Sequence, residues 1–302
     1  MAVDSIVKLG CGLMRKNKLD HHFYGEYNFL GFFSLYATAR DLTHFALSKR
    51  NPPVQKNKGD GLTAEEARDV IKLFERRITE RVPVEYITNE ATYAGYKFYV
   101  NQHVLTPRSL MNTRFKDFLT EVPWENYRVL DLCTGSGCIG ITLALLNPHI
   151  QVDLADISPE ALNVACINIE RHGLKDRVRC IQSDCFENIQ GKYDLIITNP
   201  PYVSTRAYYA CPDEFLNEPK IALESGKDGL DLISQILTQA KNYLNPTGLL
   251  IAEVGLGSAK RIKKKYPKVR FKWFKYRRPD GKESWFNDPG VFLIRCPQLR
   301  NL

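Results

Sequence analysis

The residues best suited to chemistry are the run Asn199-Pro200-Pro201-Tyr202, which follows the apolar run Tyr193 to Thr198. The apolar run predicts a buried strand, and two adjacent prolines end a strand because neither has an N–H for the sheet. Asn199 is thereby placed at the carboxyl end of a strand, where open α/β sheets bind their ligands. An amide side chain followed by a flat ring suits the binding of a planar amide or amino nitrogen. Taken alone, the four residues fit a plain strand-ending turn equally well.

A second candidate site lies upstream, where a predicted strand ending in Asp131-Leu132 runs into the glycine-rich turn Cys133-Thr134-Gly135-Ser136-Gly137. Glycine adopts positive φ and lets the backbone approach a ligand closely. The turn lacks the third glycine of the dinucleotide fingerprint, which disfavours a nicotinamide cofactor and a dehydrogenase. A positively charged sulfonium cofactor needs no pyrophosphate cradle. It needs nearby carboxylates and carbonyl groups, and Asp131 is in place.

Acidic residues also end the next two predicted strands. Asp156 lies about 20 residues past the glycine turn, a position from which a carboxylate accepts hydrogen bonds from both ribose hydroxyls. Asp184 could accept from an adenine amino group, with Cys185 and Phe186 along the flat face of the base. Asp184 alone could be a loop residue or a helix cap. With Asn199, however, four strand ends carry polar side chains along one edge of the sheet.

The elements that must position these residues alternate between strand and helix from Arg128 onward. Strands are predicted near 128–133, 151–156, 178–182, 193–198 and 247–254, and helices near 138–147, 158–172, 229–242 and 257–266. This alternation predicts an α/β fold with a doubly wound, mostly parallel, Rossmann-like sheet. Two further strands, at 269–273 and 291–294, would close it, with an exposed loop over 277–289.

The first 82 or so residues show helical spacing instead, with Thr63 and Glu66 forming a capping box at one helix start. Between 91 and 107 the pattern predicts a short hairpin. We therefore expect a helical domain at 1–85 that recognises the substrate, a linking β-hairpin at 86–110 and a catalytic domain at 111–302.

Composition restricts the class of protein. The start of the chain lacks the pattern of a secretory leader, and the apolar stretch from Phe29 to Ala39 is too short to span a bilayer. We expect a cytoplasmic protein without a membrane partner. The eight cysteines include no C-x-x-C pair and the histidines are scattered, so neither a metal site nor a disulfide framework is expected.

The net charge of +8 is concentrated between Lys260 and Arg278, a stretch that contains many cations and no acidic residue. Aromatic residues, such as Trp273, alternate with these cations. One interpretation is contact with RNA or with an RNA-bound particle. The other is a solvated helix face followed by a strand whose apolar residues point inward.

The glycine-rich turn, the strand-end acids and Asn199-Pro200-Pro201-Tyr202 together resemble the class I S-adenosylmethionine-dependent methyltransferases. More closely, the chain is similar to the protein-glutamine N5-methyltransferases, the HemK/PrmC/PrmB family. Three further stretches carry this resemblance: 81–89, then 98–100 with 104–109, and 218–223 with 226–230; Pro107-Arg108-Ser109 and Glu218-Pro219 are among them. Residues 86–89, 107–109 and the cysteine-bearing turn 131–138 are most like the PrmB branch.

The resemblance implies methylation of a glutamine side chain in a protein, with S-adenosylmethionine as the cofactor. The PrmB branch acts on large-subunit ribosomal protein three, uL3, and the other branch on the Gly-Gly-Gln glutamine of release factors. By analogy, the Asn199 side-chain oxygen and the Pro200 carbonyl accept the two amide protons, Pro201 adds to the substrate site and Tyr202 packs on the amide plane. The implied cofactor residues are Asp131, Cys133, Thr134, Gly135, Ser136, Gly137, Asp156, Asp184, Cys185, Phe186 and Asn199.

Other interpretations stay open at this point. An adenine N6 methyltransferase acting on nucleic acid shares the Asn-Pro-Pro-Tyr run, although we expect no stable DNA binding. A non-catalytic ribosome-assembly factor would have no need of the strand-end acids. The chain also departs from the family, because no acidic residue follows Arg108 within residues 110–114, and Cys185 stands where release-factor enzymes tend to carry tryptophan.

Overall fold

The computed structural model describes residues 1–19, 34–120, 126–255, 257–275 and 290–301. The chain forms two compact units, one made of Met1–Glu90 with Pro212–Asn217, the other of Ala91–Cys211 with Glu218–Leu302. The predicted loop at 277–289 and the cations Arg277 and Arg278 lie outside the described residues. Within the described ranges, no helix combines the length and the apolarity needed to cross a membrane.

The first unit is helical. Its elements are α1 (Val3–Lys16), α2 (Leu35–Ser48), α3 (Ala64–Thr79), α4 (Val84–Thr88) and α9 (Asp213–Leu216). The first three helices bury one apolar stripe each, with Ile6, Leu42 and Phe74 at 0% exposure. The predicted capping box is present, since Thr63 accepts from the Glu66 N–H and Glu66 accepts from the Thr63 N–H.

The second unit contains a two-stranded hairpin and a seven-stranded sheet. The strands are β1 (Ala91–Tyr93), β2 (Tyr96–Phe98), β3 (Arg128–Leu132), β4 (Gln151–Asp156), β5 (Val178–Gln182), β6 (Tyr193–Thr198), β7 (Leu244–Glu253), β8 (Lys272–Phe274) and β9 (Val291–Arg295). The helices are α5 (Phe115–Thr120), α6 (Cys138–Leu146), α7 (Pro159–Arg171), α8 (Thr205–Tyr208), α10 (Asp231–Gln239) and α11 (Ser258–Lys265). Short 3₁₀ turns lie at Leu110–Arg114, Lys220–Ala222, Ala240–Asn242 and Cys296–Asn301.

The order of strands in the large sheet is β5-β4-β3-β6-β7-β9-β8, with β9 antiparallel to both of its neighbours and the first five strands parallel. The doubly wound sheet predicted from the sequence is therefore confirmed, although the first closing strand begins at Lys272 rather than at residue 269. After β3 the chain adds β4 and β5 on one side of that strand, and then crosses over to add β6 on the other side. This makes β3 and β6 the switch point, where ligands bind beyond the carboxyl ends of the strands.

Candidate active site

A cavity of about 420 Å³ lies at this carboxyl edge of the second unit. Loops that follow β3, β4, β5 and β6 line one part of it, and residues 103–109 and 219–226 line another. Of the residues predicted from the sequence, Cys133, Thr134, Gly135, Ser136, Asp156, Asp184, Cys185, Asn199 and Pro201 line this cavity.

The glycine-rich turn is built over a buried acid. Gly135 and Gly137 have φ of +54° and +81°, conformations that favour glycine. Beneath them the Asp131 carboxylate is 0% exposed and accepts from the Thr134 hydroxyl at 2.7 Å and the Gly140 N–H at 2.8 Å. Burial raises the pKa of Asp131 to about 7. Neither Asp131 nor Gly137 lines the cavity, so both shape the turn from below.

Asp156 faces the cavity itself. One carboxylate oxygen accepts from the Gly135 N–H at 2.8 Å and the other accepts from the Ser158 N–H at 3.1 Å. Burial raises the pKa of this carboxyl, while the backbone hydrogen bonds act in the opposite direction. Because a carboxylate offers about four acceptor positions, Asp156 retains capacity for a pair of hydroxyl donors.

The loop after β5 carries three residues that were predicted to contact the adenine base. Asp184 is exposed and lines the cavity, and Cys185 lines it as a buried thiol whose pKa is raised to about 12 by burial. The Phe186 ring is 1% exposed and stacks on Tyr243, with 4.6 Å between ring centroids. Phe186 therefore packs in the core and does not line the cavity, and its expected position along the face of a base stays a prediction.

Asn199 lines the cavity and carries a buried acceptor atom. Its Oδ1 atom is buried and has no hydrogen-bond partner, although buried polar atoms are nearly always hydrogen-bonded. Pro200 is buried and does not line the cavity, and neither does Tyr202. The Tyr202 hydroxyl instead donates to Glu253 at 3.3 Å. An unpartnered amide oxygen beside the glycine-rich turn fits a bound N–H donor.

The structure joins two stretches that the family resemblance had indicated separately. Arg108 donates to both oxygens of Glu218, at 2.5 and 2.6 Å, and the Thr106 hydroxyl donates to the same carboxylate at 2.8 Å. The Glu218 side chain is 2% exposed. Bidentate pairs of this kind fix geometry as well as charge, so the Pro107-Arg108 wall of the cavity is held against the wall that begins at Pro219.

Sequence reasoning missed two residues that support the site. Asn168 in α7 is 0% exposed and donates to the Ser136 carbonyl at 2.9 Å, which holds the glycine-rich turn. Glu253 ends β7 and is 3% exposed. The signal for Glu253 was available, because it is another acid at the carboxyl end of a predicted strand. Asn168 carried no such signal in a helix of mixed composition.

Comparison with known proteins agrees with this geometry. Residues 114–229 match the methyltransferase small domain. The catalytic domain of hMettl16, solved with MAT2A 3′UTR hairpin 6, has the same fold, with a TM-score of 0.50 and 15% identity over 83% of this chain and 91% of that one. Fold and site together define a class I S-adenosylmethionine-dependent methyltransferase.

Two curated relatives define the family. The ribosomal protein uL3 glutamine methyltransferase of Neisseria gonorrhoeae is 42% identical over 239 residues, which cover 78% of this chain and 76% of the relative. That of Neisseria meningitidis serogroup A is also 42% identical, over 78% and 75% of the two chains. The chain belongs to this family of protein-glutamine methyltransferases. The class, the family and the S-adenosylmethionine cofactor expected from the sequence are confirmed, while the roles of individual residues stay predictions.

Proposed function

We propose that this protein transfers a methyl group from S-adenosylmethionine to the side-chain nitrogen of a glutamine in ribosomal protein uL3. The family supports the reaction and the substrate. The observation that carries the proposal is Asn199, a residue whose Oδ1 is buried and unpartnered and which lines the same cavity as the glycine-rich turn and Asp156. We also propose a cytoplasmic location, which a ribosomal substrate supports.

Asn199 has a defined task in this reaction. An amide nitrogen is a poor nucleophile because its lone pair is delocalised into the carbonyl. Accepting one N–H at Asn199 Oδ1 and the other at the Pro200 carbonyl holds the nitrogen with its lone pair toward the methyl group. Alignment and exclusion of water then supply much of the acceleration. The S–C bond breaks as the N–C bond forms, the sulfur leaves as a neutral thioether, and the nitrogen then loses one proton to water, so a strong general base is not required.

The cofactor supplies an electrophilic methyl group on a sulfonium centre when it is bound. Asp156 would hold the ribose hydroxyls and Asp184 the adenine amino group, with Cys185 beside the base. Gly135 and Ser136 would lie against the remaining part of the cofactor. Asp131 contributes indirectly, because its carboxylate fixes Thr134 and the start of α6.

Two substitutions test these roles with radiolabelled cofactor and purified uL3. Asn199→Ala should remove most methyl transfer and leave the dissociation constant of S-adenosylmethionine within about twofold. Asp156→Ala should weaken cofactor binding by about tenfold or more in calorimetry. Full transfer by the Asn199 variant, or unchanged cofactor binding by the Asp156 variant, would contradict the corresponding assignment.

Substrate identity is tested by offering wild-type enzyme uL3, release factors, RNA and DNA in parallel. Mass spectrometry should find one added methyl on a glutamine of uL3. Preferential labelling of a release factor would identify the other branch of the family, and labelling of adenine would reject protein methylation. We further propose that the helical first unit recognises the protein substrate, as the family resemblance implies.

We also propose that the basic stretch of the second unit contacts ribosomal RNA. Eight of its cations are exposed in the described residues: Lys260, Arg261, Lys263, Lys264, Lys265, Lys268, Arg270 and Lys272. The apolar side of α11, at Ala259 and Ile262, is buried in the core, so the helix has no apolar face to insert into a membrane. Cations on a helix and on the edge strand β8 suit a phosphate backbone.

The salt dependence of RNA binding tests this contact. Replacing Lys260, Lys264 and Lys268 by glutamine should weaken binding to a ribosomal RNA fragment and reduce the slope of log K against log salt by about 2. Replacing the exposed lysines Lys175 and Lys192, which lie outside the stretch, is the control. An unchanged slope in the triple variant would show that these cations do not contact RNA and only form a solvated surface.

A further inference from the structure

Glu253 lies next to the proposed catalytic residue in the sheet. Strands β6 and β7 are parallel, and Thr198 is the register partner of Ala252. The following residues, Asn199 and Glu253, therefore leave the same edge of the sheet side by side. Glu253 is nevertheless 3% exposed and does not line the cavity, so its carboxylate is turned toward protein groups.

One carboxylate joins two segments of the site. One oxygen of Glu253 accepts from the Ser109 hydroxyl at 2.6 Å and from the Leu110 N–H at 3.1 Å. The other oxygen accepts from the Tyr202 hydroxyl at 3.3 Å. Ser109 belongs to the wall that lines the cavity, and Tyr202 ends the run that begins with Asn199.

The Tyr202 ring packs closely against its neighbours. Its hydroxyl group therefore has little freedom to move away from Glu253. A Cβ atom on Gly255 would lie 3.0 Å from the ring, and one on Gly229 would lie 2.2 Å from the Tyr202 carbonyl oxygen. Both glycines allow close packing on Tyr202. The ring and the main chain are thus held on two sides, and the hydroxyl is held by Glu253.

We propose that Glu253 is a positioning residue that holds Tyr202, and through it the Asn199-Pro200 acceptors, against the Ser109 wall of the cavity. The inference rests on the proposed function, because it takes Asn199 as the group that binds the substrate amide. Glu253 touches neither substrate nor cofactor in this assignment. Its effect should therefore fall on kcat rather than on cofactor binding.

Three variants test the assignment with the best methyl acceptor of the wild-type enzyme. Glu253→Ala should lower kcat by about tenfold or more, because small displacements of reacting groups are costly, and leave cofactor affinity within about twofold. Glu253→Gln should restore kcat to within about threefold. Its oxygen can accept from Ser109 and Leu110, and its NH₂ can donate to the Tyr202 oxygen. Tyr202→Phe removes the same bond without emptying the core.

The outcomes separate the possibilities. If Glu253→Ala does not fold, Tyr202→Phe decides: a fall in kcat at constant cofactor affinity supports positioning, and full kcat overturns it. A glutamine variant as impaired as the alanine variant also overturns it, because the charge itself would then be required. Failure of the wild-type enzyme to methylate any protein glutamine would reject the proposed function before these variants are compared.

Discussion

At the scale of single residues, Asp131 and Glu253 are the two fully buried carboxyl groups beside the site whose pKa is raised furthest. Burial raises the pKa of each to about 7, although both accept hydrogen bonds. Ionising a carboxyl group that is removed from water costs free energy unless a cation is close. Both acids lie near the carboxyl ends of strands of the same sheet, so this edge combines an open cavity with two buried carboxyl groups that do not line it.

Glu253 should make the enzyme less stable as the pH rises. In the unfolded chain a glutamate has a pKa near 4.3, and in the folded protein burial raises that of Glu253 to about 7. Between these values the folded protein binds the extra proton. The free energy of unfolding therefore falls as the pH rises through this window, and the stabilisation present below about pH 4 is lost above about pH 7.

Glu253→Gln should remove this dependence. We expect the difference in the free energy of unfolding, variant minus wild type, to increase by about 2 kcal/mol from pH 5 to pH 8, as measured by denaturant titration. Glu160→Gln is the control. Its backbone N–H and the Ser158 hydroxyl lower the pKa of Glu160, so the difference from wild type should stay flat over the same range. If the difference between the Glu253 variant and wild type does not change with pH, the pKa of Glu253 is not raised in the folded protein.

At the scale of elements, the sequence predicted the strands well because each has a clear apolar run and a clear end. It also located Asp156 and Asn199 on the cavity edge. It could not tell which strand-end side chains turn toward the cavity and which turn into the core. Asp131 and Phe186 point inward, and that direction is set by packing against α6 and Tyr243, which the local pattern does not contain.

Contacts between loops were likewise not predictable from the local sequence. The pairing of Arg108 with Glu218 joins residues 110 positions apart. Family resemblance marked both stretches, but nothing local indicated that they meet. The close approach of Gly229 to Tyr202 was also not predictable from the local sequence. Gly229 has φ of +73°, and a Cβ there would lie 2.2 Å from the Tyr202 carbonyl oxygen.

Gly229→Ala should therefore impair catalysis as well as stability. Positive φ costs an alanine about 1 kcal/mol, and the overlap with backbone atoms at Tyr202 should add about 1–3 kcal/mol. The matched control is Gly173→Ala, since Gly173 has φ of +66° and open space around its Cβ position. We expect a melting temperature below that of the control and a reduced kcat. Equal melting temperatures and activities would show that the Gly229 loop adapts without cost.

At the scale of the whole molecule, the chain enters the helical unit twice. After residues 1–90 it builds much of the second unit, returns for Pro212–Asn217 and then leaves again at Glu218. The returning segment is held in the helical unit by Glu214, which is 5% exposed. Its carboxylate accepts from Arg77 and Arg81, each at 3.3 Å. No local pattern predicts that six residues from late in the sequence complete the helical unit.

Glu214→Ala should destabilise the helical unit by leaving two guanidinium groups without this carboxylate. Breaking a buried ion pair from one side costs about 3–5 kcal/mol, and the lower end applies here because the Arg81 side chain is 24% exposed. Hydrogen exchange should show faster opening of α3, with α7 of the second unit as an internal reference. Glu80→Ala is the matched control, since the Arg76–Glu80 pair is about half exposed and such pairs contribute about 0–1 kcal/mol. If both variants leave α3 equally protected, the returning segment is not held by its charge, and the apolar contacts of the unit must hold it instead.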